Sequence, residues 1–215
     1  MIIKPTEIPA KDRYKLVIGT ILPRPIAWVS TMSKAGELNL APFSYFTVAS
    51  TNPLTLLFCP QNSRDNVKKD TLRNVYEVPE FVINLTNEET AQAMNRTATT
   101  LPHGHSEFEY AGLTPMASQT ISVPRVAEAP VAFECKLQQV VTVSEKAGGG
   151  SVVFGEVLCI HIRDDIYADG YVLLERLKPI GRLAGGGYAR VSDTFELNRL
   201  PTPVRNQGAP PHFPL

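Results

Sequence analysis

Nine consecutive residues, Ser63-Arg64-Asp65-Asn66-Val67-Lys68-Lys69-Asp70-Thr71, gather two hydroxyls, a guanidinium and two ammonium groups. If a helix starts here, its free N–H groups and its dipole favour an anion, and the cations would hold a phosphate. The same residues also read as an amphipathic helix with a solvated basic face, which on its own is the simpler reading. His103 and His105 sit on one face of an extended segment. A zinc site needs three or four ligands, and no third stands near them in sequence, so they read as loop histidines. Cys59, Cys135 and Cys159 lie in apolar runs and read as reduced core thiols, with no base expected beside any of them. Gly185-Gly186-Gly187 is followed by no capped helix, so it reads as a turn rather than a dinucleotide fingerprint. No glycine-rich loop ends in Lys-Ser or Lys-Thr, which excludes a P-loop.

The rest of the composition narrows the function class. The chain has 215 residues, 43% of them hydrophobic and 20% charged, which fits a folded domain. Lys plus Arg and Asp plus Glu are both 21, so there is no surplus positive charge for a nucleic acid. The most apolar stretch, 152–162, is interrupted by Gly155, Glu156 and His161, so no membrane span is expected. The first 15 residues mix charges with Pro5 and Pro9 and lack a leader's apolar core. Scattered, unpaired cysteines agree with a cytoplasmic protein.

Elements must position whatever chemistry there is. The 14 glycines and 18 prolines cut the chain into short segments, as many turn-linked strands require. Strands are expected at 26–32, 44–50, 54–59 and 81–85, and two long ones at 131–144 and 151–163. The last two flank a Gly-rich hairpin loop at 145–150. A helix is expected over 63–77, with Val67, Leu72, Val75 and Tyr76 as its apolar stripe and Ser63 or Asp65 as its cap. Thr86 and Glu89 have capping-box spacing for a second helix over 87–97. Residues 101–116 read as a long loop. The sum is mainly β with α: a barrel of six or more antiparallel strands with two or three peripheral helices. Residues 1–200 form one domain, and the Pro-rich 201–215 a tail.

A series of short motifs, in order, resembles the flavin reductase-like family of FMN-binding split barrels. They are Arg24-Pro25-Ile26-Ala27-Trp28-Val29-Ser30-Thr31, Asn39-Leu40-Ala41-Pro42-Phe43-Ser44-Tyr45-Phe46 and Lys69-Asp70-Thr71. Glu80-Phe81-Val82-Ile83-Asn84-Leu85, Glu107-Phe108, Glu134-Cys135, Phe154-Gly155-Glu156-Val157 and Pro179-Ile180-Gly181-Arg182-Leu183 continue the series. Within the family the chain is most similar to flavoredoxins and to reductase components of nitrilotriacetate monooxygenase-type systems.

The resemblance implies an antiparallel split barrel, FMN as cofactor, and NADH or NADPH as reductant. It also implies a homodimer, and a flavin-dependent monooxygenase or another acceptor protein as a partner. On its residues, Trp28, Ser30 and Thr31 lie on the first strand near the flavin, the two hydroxyls also reading as a plain strand-end pair. Ala41 and Pro42 permit close backbone approach to the ring, and Ser44, Tyr45 and Phe46 add a hydroxyl and aromatic surface. Lys69 and Thr71 match the phosphate-side motif, with Ser63 and Arg64 added by proximity. Arg182 and Tyr188 fall where family members bring a late loop to the flavin, often across a dimer interface. A cation there would stabilise reduced flavin, while a surface arginine and a packed tyrosine remain the alternative. Some reductases of this family carry a His where Ser151 stands, so no nicotinamide-gating residue is assigned there. The function implied is hydride transfer from nicotinamide to FMN. A non-enzymatic FMN electron carrier reduced by another protein is the alternative.

Overall fold

The computed structural model describes residues 1–63, 65, 68–101 and 105–198. Helix α1 (Ala10–Thr20) precedes four strands: β1 (Ala27–Met32), β2 (Leu38–Phe43), β3 (Phe46–Thr51) and β4 (Leu54–Phe58). Then come α2 (Asp70–Glu77), β5 (Glu80–Leu85), α3 (Ala91–Arg96) and α4 (Glu107–Ala111). The short strands β6 (Pro115–Met116) and β7 (Arg125–Val126) lead to the long pair β8 (Val131–Thr142) and β9 (Ser151–Ile162). A small hairpin, β10 (Tyr167–Ala168) with β11 (Tyr171–Val172), α5 (Leu174–Leu177), β12 (Ile180–Arg182) and β13 (Tyr188–Arg190) complete the chain.

Seven strands make one antiparallel sheet in the order β2-β1-β5-β8-β9-β4-β3. Its two edges, β2 and β3, are consecutive in the chain and joined only by Ser44 and Tyr45. The sheet must therefore curl until its edges share one corner. Phe43 at the end of β2 packs on Phe58 of β4, ring centroids 5.1 Å apart. No ladder joins β2 to β3. The expected barrel is thus present in strand number and direction but not in closure, because the chain turns a corner at 44–45 instead of folding back as a hairpin.

Alternation along β1 divides the core. Ala27 and Val29 face a cluster with Phe58, Leu72, Val75, Phe81 and Cys135. Trp28 faces another with Leu40, Met94, Phe108 and Val126. Gly155 on β9 lets Phe81 cross, for a Cβ there would lie 2.3 Å from its Cζ.

The helices depart from expectation. Among the described residues there are five, all short, rather than two or three. α2 starts at Asp70, not Ser63, because Lys69 is extended (φ −63°, ψ 145°) and its carbonyl accepts the first helical bonds, from Leu72 and Arg73. Leu72 and Val75 are buried as the stripe requires, whereas Tyr76 is 53% exposed. α3 spans only Ala91–Arg96, and the expected Thr86–Glu89 box is replaced by a reciprocal pair one residue later. The Asn87 amide donates to Thr90 Oγ1 and the Thr90 amide to Asn87 Oδ1, each at 3.1 Å. The expected loop 101–116 contains α4. Ser106 Oγ accepts from the Phe108 amide, and Gly112 ends the helix at φ 69°, a left-handed value that suits glycine. The expected tail 201–215 and His103 lie outside the described residues. No helix of the described residues is long and apolar enough to cross a membrane.

Candidate functional site

The corner between the sheet edges carries the densest set of unusual groups. Ala41, Pro42, Ser44, Tyr45 and Phe46 are half-buried there, so the proposed ring-contact residues are contiguous and accessible. The Cys59 amide donates to the Tyr45 carbonyl at 2.9 Å, which brings the end of β4 to the same place. Next come Gln61 and Asn62. Gln61 bridges to Gly150, and Asn62 Nδ2 donates to the Ser144 and Lys146 carbonyls. The β8–β9 loop is thereby folded onto the corner.

Electrostatics at the corner are mixed. Burial pushes the Tyr45 phenol up, helped by Tyr14 and opposed by the Arg24 charge and a bond with Gln61. Burial also pushes the Cys59 thiol up, so it is no ready nucleophile. Arg24 is 5% exposed. Its guanidinium donates to the Ile18, Ile21 and Leu183 carbonyls at 3.0, 2.8 and 3.0 Å and through Nε to Ser44 Oγ at 3.3 Å. No carboxylate among the described residues pairs with it.

The candidate phosphate side stands next to this corner. Asn39, on the same face of β2 as Ala41, donates from Nδ2 to Thr31 Oγ1 at 3.2 Å and Thr71 Oγ1 at 3.0 Å. Asn74 Nδ2 donates to Thr31 Oγ1 at 3.2 Å. These bonds pin the first turn of α2 over β2 and hold Lys69, which is exposed, at its start. Ser63 is half-buried two residues beyond Gln61, well before the helix, and so is not its cap. Arg64 lies outside the described residues.

Four expected contacts need correction. Trp28 and Ser30 have no exposed surface: Trp28 Nε1 donates to Thr97 Oγ1 and Ser30 Oγ to the Pro124 carbonyl. β1 lies between β2 and β5 with both faces covered, so these side chains are core. Thr31 is fully buried and Thr71 is 1% exposed. Both hydroxyls are engaged by Asn39, so they brace the site rather than face a ligand.

Arg182 and Tyr188 pair across β12 and β13, with the guanidinium 4.6 Å from the tyrosine ring centroid. Arg182 also donates to the Gly185 carbonyl, and Tyr188 Oη to Asn95 Oδ1 at 3.2 Å. Arg182 bridges to Arg24 through mutual backbone bonds of 3.0 and 2.8 Å, which tie this pair to the corner. Beside Tyr188 lies a cavity of about 400 Å³ lined by Glu88, Gln92, Asn95, Arg96 and Arg190. That volume is within the usual range for small-molecule sites.

Sequence reasoning missed Arg24, Asn39 and Gln61 as site builders. Arg24 and Asn39 stand inside the quoted motifs, and that was their only signal. It also misjudged Cys159. Its Sγ lies 3.8 Å from His161 Nε2, two residues on along β9, and His161 Nε2 lies 2.6 Å from Glu134 Oε1. The three could surround a metal. Yet the Glu134 carboxylate already accepts from the Gln119 amide and from the Thr120 amide and hydroxyl, leaving it little free capacity.

Residues 18–177 match the profile of the flavin reductase like domain. The nitrilotriacetate monooxygenase component B of Bacillus cereus is 41% identical, with a TM-score of 0.88 over 92% of this chain and 98% of that one. The 2-nitrobenzoate 2-nitroreductase of Pseudomonas fluorescens is 31% identical, with a TM-score of 0.84 over 97% and 100%. A protein of Shewanella frigidimarina named for its flavin reductase split-barrel domain shares the fold, with 20% identity and a TM-score of 0.77 over 94% and 99%.

Proposed function

The chain belongs to the flavin reductase-like family, and from that premise we propose that it is an FMN-dependent reductase driven by NADH or NADPH. The observation that carries the reading is the corner between β2 and β3. There a half-buried serine hydroxyl, two aromatic rings, a small residue and a buried guanidinium with no carboxylate partner among the described residues meet. That donor set fits a flat ring with polar edges and growing negative charge. Lys69 at the start of α2 fits the phosphate at the other end of the same cofactor. When bound, the flavin supplies the chemistry, accepting hydride from nicotinamide and passing electrons on. The protein's share is to bind, orient and tune it. Ala41 and Pro42 admit the ring, Ser44 donates to its edge, and Tyr45 and Phe46 exclude water beside it. Arg182 and Tyr188 are proposed as covering elements.

We read residues 1–200 as one split-barrel domain acting as a homodimer in the cytoplasm. Apolar side chains left open on β9, Leu158 and Ile160 at 44% and 45% exposure, support a protein partner for the sheet. The 41% identical structure supports a monooxygenase as acceptor, and the 31% identical one a nitroaromatic acid. The test is to purify the protein, release its cofactor by heat, identify it by chromatography, and follow NADH and NADPH oxidation. FMN with nicotinamide oxidation supports the reading. FMN without it leaves the carrier alternative, and FAD alone, or no flavin uptake, refutes it.

A further inference from the structure

We propose that Arg24 acts through Ser44 to direct positive charge at the flavin's ring edge, so that the protein binds reduced flavin more tightly than oxidised. The inference rests on the flavin reading above and deepens it, by giving the buried guanidinium at the corner a route to the cofactor. Arg24 is a permanent charge taken out of water, 5% exposed, and each of its partners among the described residues is neutral. Buried charges are costly and are ordinarily paired. The three carbonyls explain a donor at this position but not a full charge. Two of them, Ile18 and Ile21, belong to the end of α1, whose dipole offsets at most about half a charge. The remainder is aimed at the corner.

Ser44 is the route by which that charge reaches a ligand. Its oxygen accepts from Arg24 Nε, so its own proton is turned away from Arg24. Ser44 is half-buried at the corner and available to donate, whereas Thr31 and Thr71 are sealed inside. A hydroxyl polarised by a cation is a stronger donor, and the bond it makes strengthens as its acceptor becomes more negative. A flavin ring edge gains negative charge on reduction. The direction of the Arg24 field is visible at the neighbouring phenol, where it opposes the rise that burial causes in Tyr45. Arg24 is thus a positioning residue and Ser44 the group that touches the cofactor. Arg182, with its guanidinium stacked on Tyr188, is the less direct source of this charge.

The test is a double-mutant cycle on the FMN-loaded protein, with Ser44→Ala, Arg24→Gln and the pair, reading the flavin midpoint potential and the affinity for oxidised FMN. Each single change should lower the ratio of affinities for reduced over oxidised flavin about tenfold, or about 30 mV for two electrons. The pair should lower it no further than either alone. Additive shifts, or an unchanged potential in folded Arg24→Gln, overturn the relay. If Arg24→Gln does not fold, Ser44→Thr and Ser44→Ala decide. Threonine should keep the potential and alanine lower it, and an unmoved potential in Ser44→Ala overturns the proposal. Unmutated protein that takes up no FMN refutes the flavin reading itself, whereas FMN bound at a potential blind to both residues refutes only the relay.

Discussion

Replacing Glu134 with glutamine tests whether a buried carboxylate organises the face behind the sheet. Glu134 has no exposed surface. Burial alone would raise its pKa. Bonds from the Thr120 hydroxyl, the Gln119 amide, His161 and the Thr120 amide outweigh burial and hold it at about 2, against an ordinary 4.5. A depressed acid stabilises the fold above its unfolded pKa and loses that contribution as pH falls towards the folded value. At 1.36 kcal/mol per pH unit, the difference is about 3 kcal/mol at pH 7 and about half of that at pH 3. Glutamine keeps one oxygen, but its NH2 must face one of the two sets of donors. Urea unfolding of both proteins should therefore show a loss of about 3 kcal/mol at pH 7, shrinking to about half at pH 3. In a chain of this length the neutral-pH loss should lower Tm by about 6–12 °C. A loss that is the same at pH 7 and pH 3 would mean that packing, not the carboxylate charge, holds Gln119 and Thr120.

Three further outcomes follow from particular contacts. Lys69→Ala should weaken FMN binding roughly ten- to a hundredfold, the value of one charge-assisted bond, and leave riboflavin binding unchanged; flavin fluorescence titration reads both. Asn39→Ala should cost about 1–3 kcal/mol in urea unfolding, since it removes the donor shared by the buried Thr31 and Thr71 hydroxyls. Gly155→Ala should cost about 1–3 kcal/mol, because its Cβ would meet the Phe81 ring at 2.3 Å; a thermal melt equal to that of the unmutated protein would show that Phe81 has room to move.

The long strands could be read from the sequence because alternation and a Gly-rich loop are local signals, and β8 and β9 end within two residues of expectation. Helix starts could not, because they depend on one backbone dihedral. An extended Lys69 moved the start of α2 by seven residues, and of the expected stripe Leu72 and Val75 are buried, Tyr76 is exposed and Val67 lies outside the described residues. Residues at the β2–β3 corner stand out only through the family motif, because no strand is expected at 38–43 and the strand expected at 44–50 runs across the break. Trp28 and Ser30 could not be placed in the core, because alternation does not say that β1 is central and covered on both faces. Arg24 gives no signal beyond its place in a motif, since the partners that tie it to the corner and to the late strands, Ser44 and Leu183, are 20 and 159 residues away.

Binding of the cofactor at this corner, as proposed, has a structural rationale. β2 and β3 are the only strands of the main sheet with one side unpaired. An open edge presents backbone N–H and C=O groups and invites another strand to pair. Pro42 stands on such an edge, where a missing N–H is tolerated and further pairing is blocked. The edge is thereby closed to a strand yet still offers the Ala41 and Ser44 backbone and the Ser44 hydroxyl to a smaller partner. A planar ring with acceptors along one side and a donor beside them satisfies such groups without extending the sheet. Curling the sheet to share one corner between both edges then doubles the number of unpaired groups within reach of a single ligand. On the proposed reading, the buried guanidinium behind Ser44 gives that corner a sign that would favour a ligand able to become negative.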